Sequence, residues 1–237
     1  MKLCILGNNG PYPDRDGACS GYLLSSDDAH TNLLIECGTG VLARLAPKIS
    51  FDALDAVVLS HLHFDHMSDM LPMQYALQFH LREAPLPVFA PESPTSVRAM
   101  LDVPAYALRS MQAVQLGEMQ LYFLPVRHPV ETYALCVECD GKKFVYTGDT
   151  NEVEGLDAFV SGADLLLADA GLAAEHWHEK APHLSAGGCG SLAQRAQVRR
   201  LLLTHRNPRY TEDALVAEAR EHFACTEFAQ MGETYRI

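Results

Sequence analysis

Short apolar runs closed by turn signals recur along the chain, and their spacing is that of half-buried or fully buried strands. Residues 2–6, 21–24, 32–36 and 56–60 read as strands in the first half, and 120–126, 133–138, 143–147, 164–168 and 200–204 in the second. Asp140-Gly141, between two of these runs, is a hairpin signal. Helical periodicity falls at about 68–81, 93–101, 185–196 and 211–222. Ser185 and Thr211 stand where an N-cap oxygen can accept from the first turn. The proline-rich stretch 84–94 reads as a loop around a short strand. Strands then helices, given twice with a seam around 102–118, predict two mixed sheets packed face to face with helices outside.

A length of 237 residues fits one domain with a large core, and the sequence shows no repeat, low-complexity segment or linker, so residues 1–237 are expected to form a single domain. A content of 48% hydrophobic and 20% charged residues excludes a collagen, a coiled coil or wholesale disorder. With 18 Lys and Arg against 30 Asp and Glu, the formal charge is −12, which argues against a general binder of nucleic acid or anionic membrane. Seven cysteines, an odd number in a chain this long, do not suggest a disulfide framework. Cys136 and Cys139 form a lone C-x-x-C inside a strand-like run, and strand packing is the expected use. The N-terminal apolar run is too short for a signal peptide and no run is long enough to span a membrane, so a cytoplasmic location is expected.

The chemistry concentrates in Val57-Val-Leu-Ser-His61-Leu-His63-Phe-Asp65-His66, where a buried strand ends and four metal-capable side chains follow within six residues. His61 and His63 are two apart, so an extended chain points them to one side. Imidazole and carboxylate are the usual ligands of zinc and similar divalent ions. Three more ligand types stand just past apolar strands: His128 after 120–126, Asp149 in the turn after 143–147, and His205 after 200–204. Strand ends are where α/β sheets build sites.

At these residues the sequence resembles a known family. Ser60-His-Leu-His-Phe-Asp-His66 is similar to the HxHxDH signature of the metallo-β-lactamase superfamily. Tyr146-Thr-Gly-Asp-Thr150, His183-Leu-Ser185, the stretch 202–210, the start 6–13 and Glu36-Cys-Gly-Thr-Gly40 resemble the matching motifs of its tRNase Z-like branch. The resemblance covers nearly the whole chain. It implies an α/β (α+β) fold, an αββα four-layer sandwich, and a site for two divalent ions per chain, with zinc first and manganese or iron as alternatives. His61, His63 and His128 would hold one ion, Asp65, His66 and His205 the other, and Asp149 would bridge them with a hydroxide between. Asp65 would also orient that hydroxide. His183 would be the catalyst that is not a ligand, near the leaving oxygen of a phosphodiester, where it acts as general acid or stabilises charge. His176 and His178 read as loop histidines, and Ser185 as a cap. Arg206 and Arg209 read as a solvated loop face more than as phosphate contacts. Trp177 either lines the pocket mouth or packs.

Only 20 residues separate His128 from Asp149, and the hairpin uses them, which leaves no room for the long flexible arm of tRNA-processing members. Together with the acidic charge, this points to a small anionic substrate and to no large nucleic acid or membrane as partner. The 32 residues after His205 are too few for the helical substrate domain of glyoxalase II-like thioesterases. The expectation is a dinuclear metal-dependent hydrolase acting as a phosphodiesterase on a small diester or cyclic phosphate. A lactone, ester or thioester hydrolase and a non-catalytic metal-binding protein are the alternatives. The resemblance also implies a homodimer.

Overall fold

The computed structural model describes residues 1–79 and 82–237. Six strands, β1 (Lys2–Gly7), β2 (Gly21–Ser25), β3 (Asn32–Ile35), β4 (Ala56–Val58), β5 (Leu86–Phe89) and β6 (Tyr106–Arg109), belong to a first sheet. A second sheet holds β7 (Val114–Leu116), β8 (Met119–Val126), β9 (Thr132–Cys139), β10 (Lys142–Tyr146), β11 (Leu165–Asp169), β12 (Leu201–Thr204) and β13 (Thr226–Phe228). The last strand, β14 (Thr234–Arg236), returns to pair with β1, so each sheet has seven strands. Both sheets are mixed, since β1, β2 and β3 pair antiparallel and β3 through β6 parallel. In the second sheet β7 through β10 are antiparallel and β10 through β13 parallel.

Strand alternation builds three hydrophobic layers. Leu3 and Ile5 of β1 and Phe144 and Tyr146 of β10 face the space between the sheets. Their neighbours Cys4, Leu6 and Val145 face outward, where helices cover them. Burial on both faces explains why these strands read as nearly continuous apolar runs. Over the first sheet lie α1 (Val41–Leu45), α2 (Phe64–Met67), α3 (Met70–Phe79) and α4 (Thr95–Arg98), and over the second α5 (Leu156–Val160), α6 (Ala186–Arg195) and α7 (Glu212–Arg220). The result is the expected αββα sandwich. Cys136 packs in the outer layer and Cys139 in the inner one, so the C-x-x-C cysteines point to opposite faces of β9, as strand packing requires.

The structure changes several expected boundaries. The helix expected over 68–81 is split, with α2 ending at Met67 and α3 starting at Met70, and the last two expected residues lie outside the described residues. The break falls where the Asp69 amide leaves the helical ladder to donate to the Cys37 carbonyl at 3.0 Å, while its carboxylate accepts from the Leu42 amide at 2.9 Å, near the start of α1. Asp65 and His66, expected before that helix, lie inside α2. The seam at 102–118 holds β6 and β7, one outer strand of each sheet, and is the chain's crossing from one sheet to the other. The helix expected over 93–101 is the short α4 followed by a 3-10 turn, Ala99–Leu101. Ser185 and Thr211 do cap α6 and α7, accepting from Gly188 and Ala214. Among the described residues no helix is long and apolar enough to cross a membrane.

β8 and β10 both run antiparallel to β9, and β11 and β12 run parallel to β10. The C-terminal ends of β8, β10, β11 and β12 therefore open on one side of the second sheet. The segment after β4 faces them from the first sheet.

Candidate metal centre

All seven sequence-derived candidate ligands converge at this edge, four carried by the segment after β4 and three by separate strand ends of the other sheet. His61 Nε2 lies 3.0 Å from His63 Nδ1, and His128 Nε2 lies 3.2 Å from the same atom. His205 Nε2 is 3.2 Å from Asp65 Oδ2 and 3.2 Å from Asp149 Oδ2, and His66 Nε2 is 3.3 Å from Asp149 Oδ2. Asp149 Oδ2 also stands 3.8 Å from His61 Nε2, so this one oxygen faces both groups of histidines. His61, His63 and His128 form one set of donor atoms all within 4.8 Å of one another, and Asp65, His66 and His205 form another. His63 keeps an extended backbone, which puts it on the side of His61.

The donors suit a divalent cation. Burial first, and neighbouring imidazoles second, hold His61 well below its ordinary pKa, and the same causes lower His63. Burial also lowers His128. These imidazoles are thus neutral, the ligating form. Burial pushes Asp149 upward, but His205 and His66 outweigh it and hold the carboxyl well below the usual range. Burial would strip His66 of a proton, yet Asp149 and Glu36 keep one on it, raising its pKa well above normal. The carboxylates therefore demand a positive charge at this point. Neither ring nitrogen of the buried His66 completes a hydrogen bond, nor do Asp149 Oδ1 and His205 Nδ1. Orphaned buried polar atoms cost about 1–3 kcal/mol each, a cost that coordination removes.

A shell of further side chains orients the donors, and sequence reasoning assigned none of them a role. Ser60 Oγ lies 3.0 Å from His61 Nδ1, and the Pro182 carbonyl 2.9 Å from His128 Nδ1. Glu36 is buried, sits 3.5 Å from His66 Nδ1 and accepts from the Ser60 amide. Such partners fix the tautomer and ring angle of ligating histidines. Glu36 and His205 both have φ of 58°, a left-handed backbone that bulky residues rarely adopt.

His183 stands beside this cluster and not in either three-residue set. Its ring stacks on His205 at 4.9 Å, and Nδ1 lies 2.8 Å from Asp169 Oδ2. Burial alone would lower the His183 pKa, but the Asp169 carboxylate overrides it and pushes it up to about 9. Asp169 is itself fixed by the Thr150 and Gly171 amides at 3.1 and 2.9 Å. It ends β11 as Leu165-Leu-Leu-Ala-Asp169, the same apolar-strand-then-ligand pattern that singles out Asp149 and His205, so the sequence did carry its signal. His176 and His178 are exposed and lie in none of the candidate donor groups. The Trp177 indole is half-buried and donates to Asn151 Oδ1 at 3.0 Å. Arg206 departs from the expected solvated face. It is mostly buried, pairing with Asp14 at 2.6 Å, because the loop from Asn8 to Gly17 folds back over the His205 segment, while Arg209 is exposed.

A sandwich whose strand ends gather histidines and carboxylates into one cluster defines a metal-dependent hydrolase of the metallo-β-lactamase type. The chain matches the Beta-lactamase superfamily domain over residues 31–206 and belongs to that superfamily. It is 32% identical over 231 residues to the probable metallo-hydrolase YhfI of Bacillus subtilis, covering 94% of each chain. The crystal structure of YhfI, a metallo-beta-lactamase fold protein, superposes with a TM-score of 0.91 at 30% identity, covering 99% of this chain and 98% of that one. Ribonuclease Z of Halorubrum lacusprofundi is 28% identical over 288 residues, covering 94% of this chain and 92% of its own. The short form of human tRNase Z shares the fold, with a TM-score of 0.82 at 16% identity, covering 100% of this chain and 99% of that one.

Proposed function

We propose that this metallo-hydrolase is a dinuclear phosphodiesterase acting on small diesters or cyclic phosphates. His61, His63 and His128 would hold one ion, and Asp65, His66 and His205 the other, with Asp149 between them. Zinc is the first choice for these donors, and manganese or iron the alternatives. Divalent ions held there supply Lewis acidity and a nucleophile at neutral pH.

The observation that carries the reading is the His183–Asp169 pair. With Nδ1 bonded to Asp169 at 2.8 Å, Nε2 is the ring atom left to give a proton. Asp169 keeps that proton in place through neutral pH. As water attacks phosphorus and the P–O bond breaks, the departing oxygen takes the proton from Nε2. Asp65, between His66 and His205, orients the attacking water. An acid is what an alkoxide leaving group needs and what a metal store does not. The relative named Ribonuclease Z supports a phosphodiester as the bond cleaved.

A charge of −12 and the short β9–β10 hairpin favour a small anionic substrate over a large nucleic acid, and no membrane partner is proposed. All seven cysteines are free, which supports a reducing compartment and hence the cytoplasm. We propose a homodimer, supported by the aromatic face of α2 and α3, where Phe64, Tyr75 and Phe79 are exposed. Sedimentation at twice 26.1 kDa is expected, and a monomer would refute it.

The test is hydrolysis of bis(p-nitrophenyl) phosphate beside a lactone and a thioester, by protein loaded with zinc or manganese. Diester turnover that chelator abolishes is expected. In His183→Ala it should fall at least ~10-fold with metal content unchanged, the range for a general acid. Cleavage of lactone or thioester but not diester would move the reading to that bond. Unchanged turnover in His183→Ala would remove His183 from the mechanism.

A further inference from the structure

His183 and the carbonyl that holds His128 lie on one irregular stretch, the 3-10 turn Ala174–His176 and the loop from Trp177 to His183. Such a stretch has no strand ladder to fix it. Glu218 accepts from the Ala174 amide at its start, at 2.9 Å, and the side chain that holds the loop beyond is Asn151, two residues past Asp149 and itself 0% exposed. Its Nδ2 donates to the Ala181 carbonyl at 2.7 Å, to His178 at 3.1 Å and to Glu179 at 3.4 Å. Its Oδ1 accepts from the Trp177 indole at 3.0 Å and from the Glu152 amide at 2.7 Å. Its backbone amide reaches the Arg127 carbonyl at 3.1 Å, one residue before His128. One buried side-chain amide thus joins the turn after β10 to four residues of the His183 loop, while the same residue's backbone ties that turn to the end of β8.

We infer that Asn151 is the positioning residue for His183, holding the loop so that the imidazole stays on Asp169 and beside the ligand cluster. This rests on the reading of His183 as the acid. Nothing smaller can replace the amide, because only Asn or Gln offers a donor pair and an acceptor on one planar group. The change Asn151→Asp would set a carboxylate against two or three carbonyls. Removing the side chain would take from the Ala181 carbonyl and the Trp177 indole N–H the partner they have in the fold, while the His178 carbonyl would keep only the Ala181 amide. Sub-ångström drift of a catalytic group is enough to cost an order of magnitude or more in rate.

The test is a double-mutant cycle. Asn151→Ala, His183→Ala and the double variant are assayed on bis(p-nitrophenyl) phosphate at saturating metal. If Asn151 acts through His183, Asn151→Ala lowers kcat at least ~10-fold, and adding it to His183→Ala lowers kcat no further. Multiplying effects would overturn the inference, because Asn151 would then act by another route. A second readout needs no turnover. Trp177 is the only tryptophan, so its emission reports the loop directly. Asn151→Ala should shift that emission and raise acrylamide quenching, while Trp177→Phe, which removes one bond of the set, should keep kcat within ~3-fold. Native quenching in Asn151→Ala would refute the clamp even if no diester is cleaved, and a loosened loop without any diester turnover would sink the phosphodiesterase reading alone. Should Asn151→Ala fail to fold, Asn151→Ser carries the same cycle and the same quenching measurement.

Discussion

Gly171→Ala separates the proposed acid, His183, from the candidate metal ligands. A Cβ on Gly171 would lie 2.8 Å from His183 Cγ, 3.1 Å from its Nδ1 and 3.2 Å from Asp169 Oδ1. Ordinary van der Waals contact for a Cβ begins near 3.4 Å, so the ring must retreat by about 0.6 Å. The ring cannot retreat freely, since it is bonded to Asp169 at 2.8 Å and stacked on His205 at 4.9 Å. The backbone at Gly171 has no left-handed φ, so alanine is admissible there apart from this clash. The expected result is a fall in kcat of about 10- to 100-fold, from misplacing a catalytic group by well under 1 Å. KM and metal content should stay near wild type, because the atoms nearest the new Cβ belong to His183 and Asp169 and to none of the seven candidate ligands. Overpacking of this kind costs about 1–3 kcal/mol, and a melting curve will show it as a modest loss. The assay is steady-state diester hydrolysis with elemental analysis on the same samples. Wild-type kcat would refute the acid role of His183 or its tight seat, and loss of metal would refute its separation from the ligands.

Two other substitutions probe other parts of the molecule. A Cβ on Gly10 would fall against the Nε2, Cε1 and Cδ2 atoms of the His205 ring, so Gly10→Ala should do what Gly171→Ala does not: weaken metal binding by about 10- to 100-fold in a calorimetric titration. Wild-type affinity in Gly10→Ala would take His205 out of the ligand set. Asp164 accepts from Lys142 and from the Lys143 amide, and faces Arg199; burial pushes its pKa up, but these partners outweigh it and lower it. Because the folded pKa is depressed, its stabilisation is present above the unfolded value near ~3.9 and is lost as pH falls through the folded one. Asp164→Asn should therefore melt below wild type at pH 6, and the gap should close as the acid limit is approached; a gap that does not change with pH would refute the pairing.

The inner strands and the clustering of the candidate ligands were legible because burial on both faces writes long apolar runs, and a histidine or aspartate at a strand end interrupts such a run abruptly. Edge strands were less legible. β6 and β7 are short, half-buried and poorly patterned, so 102–118 read as a seam. The break between α2 and α3 falls where the Asp69 amide leaves the helical ladder for the Cys37 carbonyl, a distant contact that no local period records. Glu36 opens the stretch Glu36-Cys-Gly-Thr-Gly40, yet its place beside His66 goes with a left-handed backbone that sequence does not display. Arg206 looked like a solvated charge because its partner, Asp14, is 192 positions away. Asn151 carried no signal at all, since a polar residue after a strand is ordinary and only the folded loop gives its side chain four of its five partners.

The candidate ligands come from both halves of the sandwich, four from the segment after β4 and three from the ends of β8, β10 and β12. An ion seated among them would be a rivet through two plates. It could bind only after the plates had closed, and it would resist their parting by RT ln(1 + [L]/Kd), about 4 kcal/mol at a thousandfold excess over Kd. Metal supply would then govern how long each newly made chain survives, so scarcity would lower the amount of protein as well as the activity of each molecule.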